Sequence, residues 1–294
     1  MCPLCKSKQH SIIGKPGIDA KAKQLIKKDY SIVQCNNCEF YYVDPLIDLN
    51  DDEWKFLYGD EYFEGYTNWH LKRRARDRAQ RIAKLQKFVN HKVENFLDVG
   101  CGEGYMLLEA HNKNWQAVGL DITDNRIKEA KAEDIKFVNS NLISANFPAN
   151  HFDCIYLDSV VEHVLDPLDH LIELERILKP GGVAYIGVPN EDSLQNDMRK
   201  MVYKLKGNAD IASKIKPFSS PYHVSGFNKS SLKYAINKST LSILELRNFA
   251  NRAVFLSSKF PSAQFLQNVA LTFLYFIAMI IRREYYFEVY VQKN

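Results

Sequence analysis

Asn95-Phe-Leu-Asp-Val-Gly-Cys-Gly-Glu-Gly104 is the stretch whose reading decides the fold. Phe96, Leu97 and Val99 form a short apolar run, the pattern of a central parallel strand buried on both faces. Gly100, Gly102 and Gly104 follow, with only Cys101 and Glu103 between them. A turn so poor in side chains lets the backbone bend sharply and lets a ligand lie against bare main chain. Tyr105 to Asn112 reads as the next helix, its first amides turned toward that ligand.

The next strand is Gln116-Ala-Val-Gly-Leu-Asp121. Asp121 ends it, roughly 20 residues past the first glycine, the spacing of an acid that grips ribose hydroxyls. A strand, a glycine turn, a helix, a second strand and an acid together predict a nucleotide-like ligand. The glycines are not spaced G-x-G-x-x-G, which argues against a dinucleotide.

Asp98-Val-Gly-Cys-Gly-Glu-Gly104 resembles the D-x-G-C-G-x-G motif of the class I S-adenosylmethionine-dependent methyltransferases. Phe152 to Pro167, with Asp158, Glu162 and His163 inside it, is similar to the family's fourth strand and following loop. Leu178 to Asn190 resembles its helix end, turn and fifth strand. The resemblance implies an α/β fold, a Rossmann-like seven-stranded sheet flanked by helices, with S-adenosyl-L-methionine as cofactor. It implies that Asp98, Gly100, Cys101, Gly102 and Gly104 surround the cofactor's amino-acid end and that Asp121 and Ile122 take its ribose side. Asp158 joins the cofactor residues. So does Asn141: many relatives place an Asp there or at its neighbour, close to the adenine, and an Asn can still donate and accept hydrogen bonds.

Methyl transfer to oxygen needs a base near neutral pKa, and histidine supplies one. The resemblance implies His163, after the fourth strand, and His223, in Pro221-Tyr-His-Val-Ser-Gly-Phe-Asn228, as catalytic candidates. A purely structural role for either histidine is the competing reading. Tyr222 and Asp158 are weaker candidates. The remaining histidines have no motif around them.

The 294 residues, 46% hydrophobic and 25% charged, suit an ordinary globular protein with room for a full core. The net charge of +4 is mild and gives no strong nucleic-acid signal. Nothing resembles the N-P-P-[YF] signature of amino-methylating nucleic-acid enzymes. Met1 is followed at once by Cys2 and Pro3, with no secretory pattern, so a cytoplasmic protein is expected. Cys2-Pro-Leu-Cys5 and Cys35-Asn-Asn-Cys38 are paired C-x-x-C knuckles, which in that compartment point to a closed, structural Zn²⁺ site. Cys101 and Cys154 fall inside the α/β core as small apolar residues.

The chain therefore divides into a zinc ribbon at 1–45, an aromatic linker and basic helix at 46–92, and a methyltransferase domain at 93–294. Tyr62 and Tyr66 in the linker are candidates for a lid. His70 to Asn90 reads as a helix with Ala75, Ala79, Ile82, Ala83, Leu85 and Phe88 inward. Lys72, Arg73, Arg74, Arg76, Arg78 and Arg81 form a basic patch on it, a solvated face in the bland reading. Residues 191–222 insert on the substrate side, with a basic amphipathic helix from Met198 to Lys206. Phe260 to Ile281 carries no charge. Within the apolar helix at 260–283, residues 265–281 either pack against the protein or a homodimer mate, or lie on a membrane surface. The expected reaction is O-methylation of a small-molecule or glycan acceptor, nucleotide-linked or lipid-linked. A lipid or quinone-like acceptor is the alternative, followed by RNA, and then by a non-enzymatic binding protein.

Overall fold

The computed structural model describes residues 1–58, 68–131, 135–205, 207, 215–219, 221–250 and 262–294. The chain divides into two compact units. Met1–Ile47, Val188–Leu232 and Leu246–Glu288 form the first; Asp48–Gly187, Lys233–Glu245 and Val289–Asn294 form the second.

In the first unit, β1 (His10–Gly14), β2 (Ser31–Cys35) and β3 (Tyr41–Asp44) make an antiparallel meander, and β9 (Ser225–Gly226) adds to its edge beside β3. β1 fills the long spacer between the two cysteine knuckles. β2 leads into the second knuckle and β3 leads out of it. Val33, Phe40, Tyr42 and Phe227 are buried in this unit, with the Phe40 and Phe227 rings 4.8 Å apart. The insertion helix, α5 (Leu194–Leu205), starts earlier than the sequence pattern predicts. It packs against the apolar helix α7 (Ala263–Ile280).

In the second unit, Asn50 starts α1 (Asp51–Tyr58). Its Oδ1 accepts the amides of Asp52 and Glu53 at 3.0 Å, and its own amide donates to Glu53 Oε2 at 2.8 Å. This reciprocal cap converts part of the expected linker into helix. Tyr62 and Tyr66, the lid candidates, lie outside the described residues. So does most of the loop after Gly207.

The large sheet has seven strands in the order β10-β11-β8-β7-β4-β5-β6. They are β4 (Asn95–Val99), β5 (Gln116–Asp121), β6 (Lys136–Asn139), β7 (Phe152–Asp158), β8 (Leu178–Pro189), β10 (Ser242–Phe249) and β11 (Tyr286–Gln292). β6, β5, β4, β7 and β8 run parallel. Such strands are covered on both faces, which is why β4 and β7 are buried and rich in apolar residues. α2 (Asn68–Phe88), α3 (Tyr105–His111) and α4 (Pro167–Ile177) are helices of this unit, and α6 (Lys229–Lys238) follows β9. The core joins Ile82, Leu85 and Val89 to Phe96, Met106, Leu107, Cys154, Tyr185 and Tyr290.

One expectation fails on α2. Ala79 and Ala83 face solvent, not the core. The inward line is Arg78, Arg81/Ile82, Leu85 and Phe88/Val89, a 3.6-residue repeat that turns two arginines inward. The side chains of Lys72, Arg73, Arg74 and Ala75 lie outside the described residues.

Candidate functional site

The glycine turn lies at the C-terminal ends of β4 and β5, the edge of a parallel sheet where ligands bind. Gly100 and Cys101 donate their amides to the Leu120 carbonyl, at 2.8 and 3.2 Å. Gly104 has φ +79°, and a Cβ there would sit 2.6 Å from the Ala130 Cβ. No L side chain fits that conformation and space, so glycine is obligatory before α3. The Gly102 amide donates to Asp121 Oδ2 at 2.9 Å. This bond ties the turn after the first strand to the acid ending the second.

Three carboxylates meet at this edge. Asp98 is fully buried next to the end of β4. Burial holds its carboxyl well above the usual range, Asp121 and Asp158 push it further, and Arg78 acts in the opposite sense. Burial also raises Asp121, while the amides of Gly102, Thr123 and Ile122 favour its charged form. Its hydrogen-bond partners among the described residues are thus backbone amides, which leaves acceptor capacity for ligand hydroxyls. Asp158, at the end of β7, accepts from Arg81 at 2.7 Å and from the Tyr156 hydroxyl at 2.9 Å. Burial and the neighbouring Asp158 hold Tyr156 well above its ordinary value. The Arg81 guanidinium also donates to Tyr156 at 2.8 Å and stacks 4.9 Å over the Tyr185 ring. The set suits a ligand with positive charge and vicinal hydroxyls: a cation relieves the mutual repulsion of the acids. S-adenosylmethionine has both features, so the residues present fit it.

Ile122 follows Asp121, half-buried, and Cys101 is buried, its thiol pushed up by burial. Asn141 is exposed, and its Oδ1 accepts the Ser144 amide at 2.8 Å, capping a turn. Asn139 is the amide residue that reaches the acid strand, donating to the Asp121 carbonyl at 3.2 Å. The sequence reading passed over Asn139, although its place as the last residue of β6 was the available signal.

Past Asp158, Ser159 takes φ +60° and donates its amide to Gly187 O at 3.0 Å. The kink starts a tight turn in which the His163 amide donates to Val160 O at 2.9 Å. Val160 also packs where a Cβ on Gly100 would stand, 2.7 Å away. The loop bearing half-buried His163 therefore rests against the glycine turn. Glu162 beside it is buried. His223 belongs to the first unit. It is half-buried, follows Tyr222 at φ +60°, and its carbonyl accepts the Lys216 amide at 3.0 Å.

Sequence reasoning missed Arg78 and Arg81 as site residues. Both sit in a run of basic residues on α2, which conceals them. The clue was their spacing from Ile82 and Leu85.

In the first unit the sulfurs of Cys2, Cys5, Cys35 and Cys38 all lie within 4.8 Å of one another. Cys2 and Cys38 are 3.7 Å apart, and Cys5 and Cys35 are 3.4 Å apart. The two knuckles share one backbone form. Lys6 N donates to Cys2 O at 2.9 Å, and Glu39 N donates to Cys35 O at 3.0 Å. Lys6 and Glu39 both have φ +59°. A tetrahedral ion with bonds of about 2.3 Å to sulfur places its ligands at such separations, so the four thiols fit Zn²⁺.

Residues 68–246 match the family described as a methyltransferase domain. A demethylmenaquinone methyltransferase of Listeria welshimeri is 32% identical over 101 residues, 31% of this chain and 43% of that protein. A norajmaline N-methyltransferase of Rauvolfia serpentina is 25% identical over 185 residues, 54% of this chain and 63% of that protein. The chain thus spans about half the length of the curated relatives it matches. A similar fold is seen in the 1,6-didemethyltoxoflavin-N1-methyltransferase of Burkholderia thailandensis, solved with S-adenosylhomocysteine and 1,6-didemethyltoxoflavin. It has TM-score 0.54 and 13% identity, covering 95% of this chain and 99% of that one.

Proposed function

The chain belongs to the methyltransferase-domain family, and on that premise we propose that it is an S-adenosylmethionine-dependent enzyme that methylates an oxygen on a sugar or glycan-type acceptor. The observation that carries the cofactor reading is the Gly102–Asp121 bond, set among three acids at the sheet's C-terminal edge.

Bound S-adenosylmethionine supplies an electrophilic methyl group on a sulfonium whose departure leaves a neutral thioether. The residues around it therefore have little new charge to stabilise, and alignment supplies most of the rate. Asp121 would accept hydrogen bonds from the ribose hydroxyls, while Asp98 and the bare main chain of Gly100 to Gly104 would hold the charged amino-acid end. Asp158, oriented by Arg81, would add negative charge toward the cationic cofactor. A ring nitrogen of His163 takes the acceptor's proton, with His223 as the second candidate. Loss of methyl transfer in His163→Ala or in His223→Ala, with cofactor affinity kept, identifies the base.

Calorimetry with S-adenosylmethionine tests the cofactor assignment. Asp121→Ala is expected to lower affinity by at least ~100-fold, about 2.7 kcal/mol, with the fold intact; unchanged affinity sinks the assignment. Methyl-labelled cofactor and an extract of the source cells test the acceptor. Label in the aqueous small-molecule fraction supports the sugar. Label in the organic phase supports the second reading, a lipid or quinone-like acceptor, which the likeness to the demethylmenaquinone enzyme favours.

Zn²⁺ held by Cys2, Cys5, Cys35 and Cys38 would be structural, because four thiolates leave no open coordination position. Chelation is expected to unfold the ribbon, read by loss of protease resistance in residues 1–44, while S-adenosylmethionine affinity stays unchanged. Loss of the chemical step from an intact fold rejects a structural role.

A further inference from the structure

Among the described residues, α7 is the one helix long and apolar enough to cross a membrane, with a mean hydropathy of 1.5. Only 17% of it is buried. Its inward line holds Asn268, Tyr275 and Ala278. Gln264 donates to Asn268 at 3.0 Å, and the Tyr275 ring packs 5.4 Å from that of Tyr285. Beyond its C-terminus, Arg283 donates to the Asp192 carbonyl and to Asp197, at 2.8 and 2.7 Å. The helix thus packs along one side against its own unit.

The opposite side is exposed. Leu266, Val269, Phe273, Phe276 and Ile280 recur every three or four residues and fall on one stripe, 42% to 69% exposed. From Leu266 to Ile280 this stripe is about 21 Å long. α5, packed beside it, carries a second stripe of Met198, Met201, Val202 and Leu205, with Leu205 79% exposed. At 100° per residue, Arg199 and Lys204 flank that stripe on its two sides. Arg282 stands exposed just past the end of α7. Exposed apolar area of this extent marks a docking surface.

Charge decides the occupant. A second copy of the chain, zipped through a repeat of this spacing, would use charged residues beside the seam to set its register. The neighbours of the α7 stripe are Ala263, Ala270, Thr272 and Ile277, all uncharged. The charges lie instead on α5 and past the end of α7; the acidic Asp197, on the Lys204 flank, is paired with Arg283 at 2.7 Å, and Arg199, Lys204 and Arg282 are positive. Apolar side chains in the middle with arginine and lysine at the rim suit the headgroup and acyl boundary of an anionic bilayer.

We propose that α5 and α7 form a docking surface for an anionic membrane, with the apolar stripes in the headgroup–acyl boundary and Arg199, Lys204 and Arg282 against acidic headgroups. The surface is independent of the acceptor assignment and of the cofactor.

Flotation of the full chain with vesicles tests this. The expected result is binding to phosphatidylcholine vesicles containing phosphatidylglycerol, weakened by salt, and much weaker binding to phosphatidylcholine alone. Phe273→Glu with Phe276→Glu replaces exposed side chains and should reduce binding at least ~10-fold while S-adenosylmethionine affinity is kept. Arg199→Glu with Lys204→Glu should abolish the preference for phosphatidylglycerol. Failure of the unaltered chain to float overturns the proposal, as does binding that neither pair of substitutions changes. A dimer in sedimentation that Phe273→Glu dissociates, with no flotation, assigns the face to a second copy instead. The cofactor affinity measured alongside keeps this outcome separate from any failure of the methyltransferase reading.

Discussion

Asp98 and Asp153 are both fully buried aspartates on adjacent strands of one sheet, yet they differ in every respect that matters for function. Asp153 opens β7 at the sheet's N-terminal edge. It accepts the Glu94 and Asn95 amides at 3.0 and 2.8 Å, Lys179 at 2.9 Å and His91 at 2.8 Å. Burial opposes its ionisation, but the Asn95 amide, Lys179, the Glu94 amide and His91 prevail and hold it below the ordinary value. Asp98 sits near the opposite end of β4, where burial and the other two acids hold it high. One acid is satisfied by its own chain and fastens the strand start. The other is the candidate for a cationic ligand. The contrast separates a structural acid from a candidate binding acid where burial alone cannot.

The largest expected effect comes from breaking the satisfied one. Asp153→Ala leaves Lys179 without its buried counter-charge and should cost about 3–5 kcal/mol, read by urea unfolding. The folded fraction should bind S-adenosylmethionine as before. The depressed folded pKa gives a contribution present above the unfolded value of about 3.9 and lost as pH falls through the folded value. The variant should therefore lack that acid limb. Weakened cofactor affinity in the folded variant ends the distinction.

Asp98→Asn should act the other way. Cofactor affinity is expected to fall ~100-fold, about 2.7 kcal/mol, while the ligand-free protein melts higher at neutral pH. Here the folded pKa is raised, so the contribution is fully present below about pH 4 and is lost as pH rises through the folded value. Asparagine removes that loss. A lower melting temperature at pH 7 contradicts this account.

Arg81→Met is the smallest and sharpens the comparison at the binding edge. Two hydrogen bonds disappear, and stability should fall by about 1–3 kcal/mol. Adding Asp158→Asn should recover part of that loss, a coupling that a double-mutant cycle measures. Strict additivity means the pair does not act as a unit.

The glycine turn, Asp121 and the cysteine knuckles were legible because their chemistry is local. A backbone that must adopt positive φ, or a pair of thiols on one tight turn, writes its requirement into neighbouring residues. Asp153's role was not legible, because its partners come from positions 91, 94, 95 and 179 and meet only when β4 and β7 pair. Arg81 looked like one solvated cation in a basic run. Its inward direction depends on where α2 lands on the sheet, the same cause that turned Ala79 and Ala83 outward.

By itself, the sequence determined that a strand, a bare turn and an acid follow one another at β4 and β5, and that four thiols come in two equal knuckles. These are short-range demands of backbone stereochemistry and metal-ligand spacing. Tertiary structure alone decided that Asp153 meets its amide, lysine and histidine partners while Asp98 meets two other acids, because hydrogen bonds and charges act through space between distant residues. It also decided which side of α7 faces out. A helix without charge has no polar face to set its rotation, so packing against its own unit set it.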